Sequence, residues 1–182
     1  MDAVSETSDI VATGVYYDPS AYAGLGRRLL ILLIDMIGFI LLYALLLIAF
    51  TYLPESDIAA HAMSISCIVL SILYFAILKR TSIGTLGYII TGVRIVDLTG
   101  HQPSIGRMLY RTLFMLIGPL NLFLDLFWVG NDREKQSLRD KFAGTYVIRK
   151  NAPISGRGQI AFSTYTCFGY SFIFKEVSHD AT

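Results

Sequence analysis

Two long runs of apolar residues occupy the first half of the chain. The first run, residues 27–50, has Asp35 as its single charge after the two opening arginines. The second run, residues 58–78, contains several small and hydroxyl side chains and is followed by two basic residues. A helix needs roughly 20 apolar residues to cross a hydrocarbon core, and small residues let helices approach closely in lipid. The pattern therefore predicts two transmembrane helices that form an antiparallel pair around a short loop at Pro54.

A third apolar region, residues 112–129, is interrupted by Gly118 and Pro119. The basic residues that flank the first two runs lie at one end of the predicted pair, and the positive-inside rule assigns that end to the cytoplasm. One continuous helix over the third region would carry the basic residues after it to the opposite side. Two half-helices that break at Gly118 and Pro119, with the broken backbone buried against protein, return the chain to the cytoplasm. We favour the broken form, and a single third span remains open.

The segment between the second and third apolar regions predicts a strand and a capped helix. Residues 93–98 are short and rich in β-branched side chains, which favours a strand, and Thr99 and Gly100 then favour a turn. Ser104 can cap a following helix that carries Arg107 and Arg111 on one face. The glycines in the segment before residue 93 argue against one uninterrupted helix there.

The last third of the chain predicts a short interfacial helix and then extended structure. A strongly charged stretch leads into an alternating segment at residues 145–148, which is typical of a strand. From Ile160 to Phe174, apolar and mostly aromatic side chains fall on even positions, and this period of two predicts extended structure with one aromatic face. That face either packs against its own domain or contacts the membrane interface.

Together these patterns predict an all-α polytopic membrane protein. It would have two full transmembrane helices, a broken or third apolar helix, and a small cytoplasmic β-containing cap. Residues 1–21 are predicted to form a mobile acidic tail, residues 22–150 the membrane domain, and residues 151–182 an aromatic-rich extension.

Composition supports a membrane protein and gives no sign of an enzyme. Hydrophobic residues make up 54% of the chain and charged residues only 16%, which differs from the usual soluble balance. The net charge of +1 gives no basic field for nucleic acid. Cys67 and Cys167 lack metal or redox spacing, and the histidines are isolated, so we expect no metal site. The glycine-rich segment 84–92 lacks a phosphate-loop ending. We expect no cofactor and no catalytic residues.

Asp35 is the residue with the most informative chemistry. A charged side chain at membrane depth costs about 2.5–3.5 kcal/mol on insertion scales, so it needs a partner. Arg28 shares its helix face but leans toward the membrane interface, away from Asp35. We therefore expect a cation from another segment, with Arg94 and Arg111 as candidates. Asp35 either handles a proton or cation, or forms a structural ion pair that fixes helix docking.

Three ordered motifs resemble those of the RDD family of bacterial membrane proteins, named for one arginine and two aspartates. YAGLGRRLLILLID is similar to the first-helix signature, with Arg28 and Asp35 in the matching places. GTLGYIITGVRIVDLTG resembles the family's glycine-rich loop and following segment, which includes Arg94 and Asp97. QSLRDKFAGTYVIRK is similar to the closing signature, with Asp140 as the second aspartate.

The resemblance implies an integral membrane protein with a role in transport, including cation/proton exchange. Arg28, Asp35 and Asp140 would be its charge-handling residues, and Asp140 would either anchor the interfacial helix or pair with Arg28 at the cytoplasmic rim. Apart from the resemblance, the candidates for supporting ion pairs are Arg94, Asp97, Arg107 and Arg111.

We expect a multi-pass protein of the bacterial inner membrane with a cytoplasmic N-terminus. Its partners would be the lipid bilayer, other copies of the chain in a homo-oligomer, and a monovalent cation or proton. The alternative is a non-transporting scaffold whose aromatic C-terminal segment recruits a partner.

Overall fold

The computed structural model describes residues 13–54, 56–116, 125, 127–167 and 170–178. The expected break at Gly118 and Pro119 lies outside the described residues. The helices are α1 (Leu25–Phe50), α2 (Asp57–Ile72) with a π-helical continuation (Leu73–Leu78), α3 (Leu86–Thr91), α4 (Ile105–Leu116) and α5 (Leu138–Ala143). The strands are β1 (Thr13–Tyr17), β2 (Val93–Asp97), β3 (Thr145–Arg149), β4 (Ile154–Cys167) and β5 (Tyr170–Val177).

Helices α1 and α2 form the predicted antiparallel pair. Ser56 begins α2 as an N-cap, because its side chain accepts a hydrogen bond from the Ala59 amide at 3.1 Å. The Phe39 ring packs against Tyr74 and Phe75 of the π-helical segment. The spans Leu25–Phe50 and Asp57–Leu78 are long and apolar enough to cross a membrane. In the most apolar stretch of each span, only 17% and 11% of the residues, respectively, are buried. Their exposed apolar faces differ from the buried faces of soluble core helices.

Helix α3 packs closely on α1 because both helices have a glycine at the contact. A Cβ added at Gly87 would lie 2.6 Å from the Ile31 carbonyl oxygen, and one at Gly38 would lie 2.7 Å from the Leu86 side chain. Helix α3 ends at Gly92, whose φ of +64° is a left-handed conformation that glycine adopts without steric cost. The chain then enters β2 directly.

Strands β2 and β3 form a two-stranded antiparallel sheet that adjoins the helices. Val93 pairs with Arg149 and Asp97 with Thr145, which confirms strands in both predicted segments. One face of this sheet joins helix residues in an apolar cluster of Ala23, Ile31, Ala76, Tyr88, Val93, Ile95, Met108 and Val147. This cluster joins the helices to the sheet.

A second sheet has the order β1-β4-β5, and all its pairings are antiparallel. It meets the first sheet through a hydrogen bond of 2.8 Å from the Val15 amide to the Leu98 carbonyl. Tyr146, which is fully buried, packs its ring edge-on against Tyr17 and Tyr22 at this junction. The extended structure predicted for the C-terminal segment is present in β4 and β5.

The prediction of an all-α protein is wrong. Within the described residues, five strands form a three-stranded and a two-stranded sheet beside the helices. The three-stranded sheet is built from segments on both sides of the predicted membrane domain, since β1 lies within the expected tail 1–21 and β4 and β5 lie in 151–182. Pairing between such distant segments leaves no local period in the sequence, and β1 is too short to show one by itself.

Candidate functional site

The carboxylate of Asp35 is completely buried, and Lys79, Thr85 and Gly87 hold it among the described residues. The Lys79 Nζ lies 3.0 Å from its Oδ2. The Thr85 hydroxyl donates to Oδ2 at 3.0 Å, and the Gly87 amide donates to Oδ1 at 2.8 Å. Thr85 is the N-cap residue of α3, and its side chain makes no cap bond. Asp35 therefore takes the place of a capping side chain and ties α1 to the start of α3.

Lys79 reaches Asp35 from the residue after the π-helical segment. A π turn contains more residues than an α turn, so the side chains that follow it are rotated about the helix axis. The Lys79 ammonium also lies 5.3 Å from the ring centres of Phe75 and of Tyr88, which is within the range of cation–π attraction. Burial lowers the pKa of Lys79 to about 8, although the Asp35 carboxylate opposes this change.

Asp140 is a second fully buried carboxylate, and it binds two arginines. Its Oδ2 lies 2.6 Å from Arg28 and its Oδ1 lies 2.7 Å from Arg111. Asp140 is also the third residue of α5, where it forms a capping box with Ser137. Burial alone would raise the pKa of Asp140, but the two guanidiniums outweigh burial and hold that pKa well below its usual range.

The two arginines extend this ion-pair network to the surrounding backbone. Arg28 donates to the carbonyl oxygens of Ala23 at 2.9 Å and Lys135 at 2.8 Å. Arg111 donates to the Thr145 hydroxyl at 2.6 Å. Charge-assisted hydrogen bonds of this kind are stronger than neutral ones. The network therefore fixes α1, α4, α5 and β3 relative to one another.

A third carboxylate, Asp125, binds Arg139 of α5. The Arg139 Nε lies 2.9 Å from Asp125 Oδ2, and the Arg139 amide donates to Oδ1 at 3.2 Å. This pair ties α5 to the C-terminal part of the third apolar region.

The structure brings together only part of the predicted set of residues. Arg28 and Asp140 form the ion pair expected between them. Asp35 lies beside Lys79, whereas Arg111, one of the two cations expected for it, binds Asp140 instead. The other expected cation, Arg94, lies exposed on β2.

Asp97 and Arg107 form a separate surface pair. The closest nitrogen–oxygen distance between them is 3.4 Å, and 45% of the Arg107 side chain is exposed. Asp97 mainly accepts hydrogen bonds from Thr99 and the His101 amide within its own turn. Exposed pairs of this kind contribute about 0–1 kcal/mol.

The sequence contained a signal for Lys79 that the prediction did not use. At a rise of 1.5 Å per residue, Asp35 lies about 22 Å from the loop end of α1, and Lys79 lies about 33 Å from the loop end of its own helix. Side chains lean toward the N-terminus of their helix, so in an antiparallel pair Asp35 and Lys79 lean toward each other. This geometry predicts that the cation for Asp35 comes from the end of the second span. No comparable sequence feature predicts the Asp125–Arg139 pair. The two residues lie close in the chain, Asp125 in an apolar stretch and Arg139 in a charged one, and neither stretch indicates the other residue as a partner.

Family comparison agrees with the sequence motifs. The sequence model of the RDD family matches residues 22–144, which include the helices, β2 and the three carboxylates of the site. No curated protein and no solved structure matches the chain significantly. The family match covers more than half of the chain and includes the Arg28, Asp35 and Asp140 positions. The chain therefore belongs to the RDD family.

Proposed function

We propose that this protein exchanges protons for a monovalent cation across the inner membrane of a bacterium. The observation that carries the proposal is the buried pair of Asp35 and Lys79, whose charged atoms lie 3.0 Å apart between helices able to span a membrane. Ionisable residues within spanning segments are costly, and they commonly mark ion or proton pathways.

The chemistry of exchange follows from competition for one carboxylate. While Lys79 holds its proton, the ammonium neutralises Asp35. When Lys79 releases that proton, a monovalent cation takes its place beside Asp35, with the Thr85 hydroxyl oxygen as a second ligand. One proton leaves as one cation enters, so the total charge of the site stays constant. The lowered pKa of Lys79, about 8, makes proton release accessible near physiological pH.

The surroundings of Lys79 determine how readily it loses its proton. Neighbouring cations favour release, and Asp35 opposes it. The charged and titratable groups that act on or contact the ammonium are Asp35 from α1, Tyr88 from α3, Arg111 from α4 and Arg139 from α5.

The proposed topology places both termini of the helix pair at the cytoplasmic side. Two arginines open α1 and two basic residues follow the second span, so both basic ends lie together. Two helices within the described residues are able to span a membrane, and two cannot enclose a pathway of their own, so we propose a homo-oligomer. The exposed apolar faces of α1 and α2 would contact lipid and neighbouring copies.

Purified protein in liposomes with an internal pH dye tests the exchange. An outward-directed proton gradient should be dissipated faster when sodium or potassium is added outside. We expect Asp35→Asn to abolish this cation-dependent flux while the protein still inserts. Arg107→Gln, which changes an exposed arginine outside the site, should keep it. Unchanged flux in Asp35→Asn would remove Asp35 from the mechanism.

A scaffold is the second candidate, and the Arg28–Asp140–Arg111 bridge is the observation that favours it. This bridge holds its groups in fixed ion pairs without an exchangeable cation. The paired strands β4 and β5 also expose Phe162 and Ile173, which a partner could contact. Absence of cation-dependent flux from the unmodified protein in liposomes would favour the scaffold.

A further inference from the structure

A small cavity lies between the helices and the two-stranded sheet at the basic end of the helix pair. Its volume is about 50 Å³. Four cationic side chains line it, and they come from four different segments: Arg28, Lys79, Arg111 and Arg139. Neither Asp35 nor Asp140 is among the residues that line the cavity, because these carboxylates bind their cations from outside it.

The charges around this cavity do not balance. Asp35 binds Lys79, Asp140 binds both Arg28 and Arg111, and Asp125 binds Arg139. Among the residues that the structure describes, these four cations therefore share three carboxylates, which leaves one positive charge. Residues 117–124, which precede Asp125, contain no ionisable side chain.

The wall of the cavity strengthens electrostatic interactions inside it. The lining also includes apolar side chains, among them Ile31, Met108 and Val147. These three are buried and belong to the apolar cluster that joins the helices to the sheet. In such a low-dielectric setting a positive charge without a partner is costly, and a bound anion gains more than it would in water.

We propose that this cavity binds a small monovalent anion of the size of chloride. Its volume is enough for roughly three to five water molecules, taking 10–15 Å³ for each, and a chloride ion with one or two waters fits that space. A lipid phosphodiester is too large for this space, because its head group alone has five heavy atoms and the lipid carries two further chains. The single surplus charge matches a monovalent anion. This inference stands on the cavity and its charges and does not depend on cation exchange by Asp35.

Chloride-dependent thermal stability of the purified full-length protein tests the proposal. Unfolding temperature is measured in detergent with sodium chloride and with sodium gluconate at equal sodium concentration, because gluconate is too large for the cavity. A ligand that binds only the folded state stabilises it by mass action. At a chloride concentration about four times the dissociation constant, the unfolding temperature should rise about 2–4 °C above the gluconate value. Equal temperatures in the two salts overturn the proposal.

Three charge variants separate this site from a general salt effect. Arg139→Gln removes the surplus charge and should abolish the difference between chloride and gluconate. Asp125→Asn adds one surplus charge and should enlarge that difference, so it keeps the test decisive should Arg139→Gln fail to fold. Arg107→Gln changes an exposed arginine outside the cavity and should leave the difference unchanged. A smaller chloride effect in Asp125→Asn, or its loss in Arg107→Gln, contradicts the proposal.

Discussion

Lys79 and Asp35 belong to the two long helices, and their charged atoms meet 3.0 Å apart where the first helix carries its only buried acid. The same carboxylate caps α3 through the Gly87 amide. One side chain thus fixes both the pairing of the long helices and the position of the short one. Loss of either charge should therefore be felt in the fold as well as in ion exchange.

Single replacement of either member of this pair should destabilise the protein strongly. Lys79→Gln leaves Asp35 buried without its cation, and removing one partner of a buried pair typically costs about 3–5 kcal/mol. The double variant Lys79→Gln with Asp35→Asn removes both charges and should cost less than the sum of the single changes. Denaturant unfolding in detergent provides this double-mutant cycle. Additive effects would show that the pair is not coupled.

Gly87→Ala should destabilise by separating α3 from α1. The new Cβ would lie 2.6 Å from the Ile31 carbonyl oxygen and 2.7 Å from Asp35 Oδ1, and neither position is open. Overpacking of this kind costs typically 1–3 kcal/mol.

Gly106→Ala is the matched control for this change. It adds the same methyl group to helix α4, where nothing lies within 4 Å of the new Cβ. Alanine is a better helix former than glycine, so this variant should gain up to about 1 kcal/mol. Thermal unfolding of both variants measures the contrast, and equal effects would contradict the close contact at Gly87.

Asp140 should make stability depend on acid. Its two arginines hold its pKa below the ordinary value of about 3.9 that applies to the unfolded chain. A depressed carboxyl pKa adds stability that is fully present above the unfolded value and is lost as pH falls toward the folded value. Asp140→Asn should cost about 3–5 kcal/mol at neutral pH, because Arg28 and Arg111 lose their buried partner.

The difference in unfolding free energy between the unmodified protein and Asp140→Asn isolates this group from the other acids. It should be constant from pH 7 to about pH 5 and shrink below about pH 4. Asp97→Asn, which changes an acid in a partly exposed surface turn, should show a much smaller difference over the same range. A difference for Asp140→Asn that stays constant to pH 2 would show that its carboxylate is not held by the arginines.

Local sequence patterns were sufficient for the elements whose side chains repeat. The apolar lengths of α1 and α2 and the β-branched run at β2 predicted them directly. Ser104 was expected to cap a helix, and its hydroxyl accepts the Arg107 amide at 3.3 Å. The Asp140–Arg28 pair followed from the family motifs, which hold information that a single sequence does not show.

The remaining structure depends on contacts between distant segments. β1 pairs with β4, although almost the whole chain lies between them in sequence. The five residues of β1 are too few to show a period that would predict a strand. The cation for Asp35 was expected to be an arginine. The position of Lys79 along the antiparallel helix pair places Lys79 beside Asp35 instead. Asp125 joins the site because α5 folds back on it, which depends on the path of the chain between them and not on either residue alone.

Substitution of Lys79 by arginine tests the central claim most directly. Arginine keeps the positive charge beside Asp35, so Lys79→Arg should fold and insert, but it cannot release its proton in the accessible pH range. Cation-dependent proton flux in liposomes should rise with pH around a midpoint near 8 in the unmodified protein. In Lys79→Arg it should be absent from pH 6 to pH 10. Flux in Lys79→Arg with the same midpoint would contradict exchange through this pair.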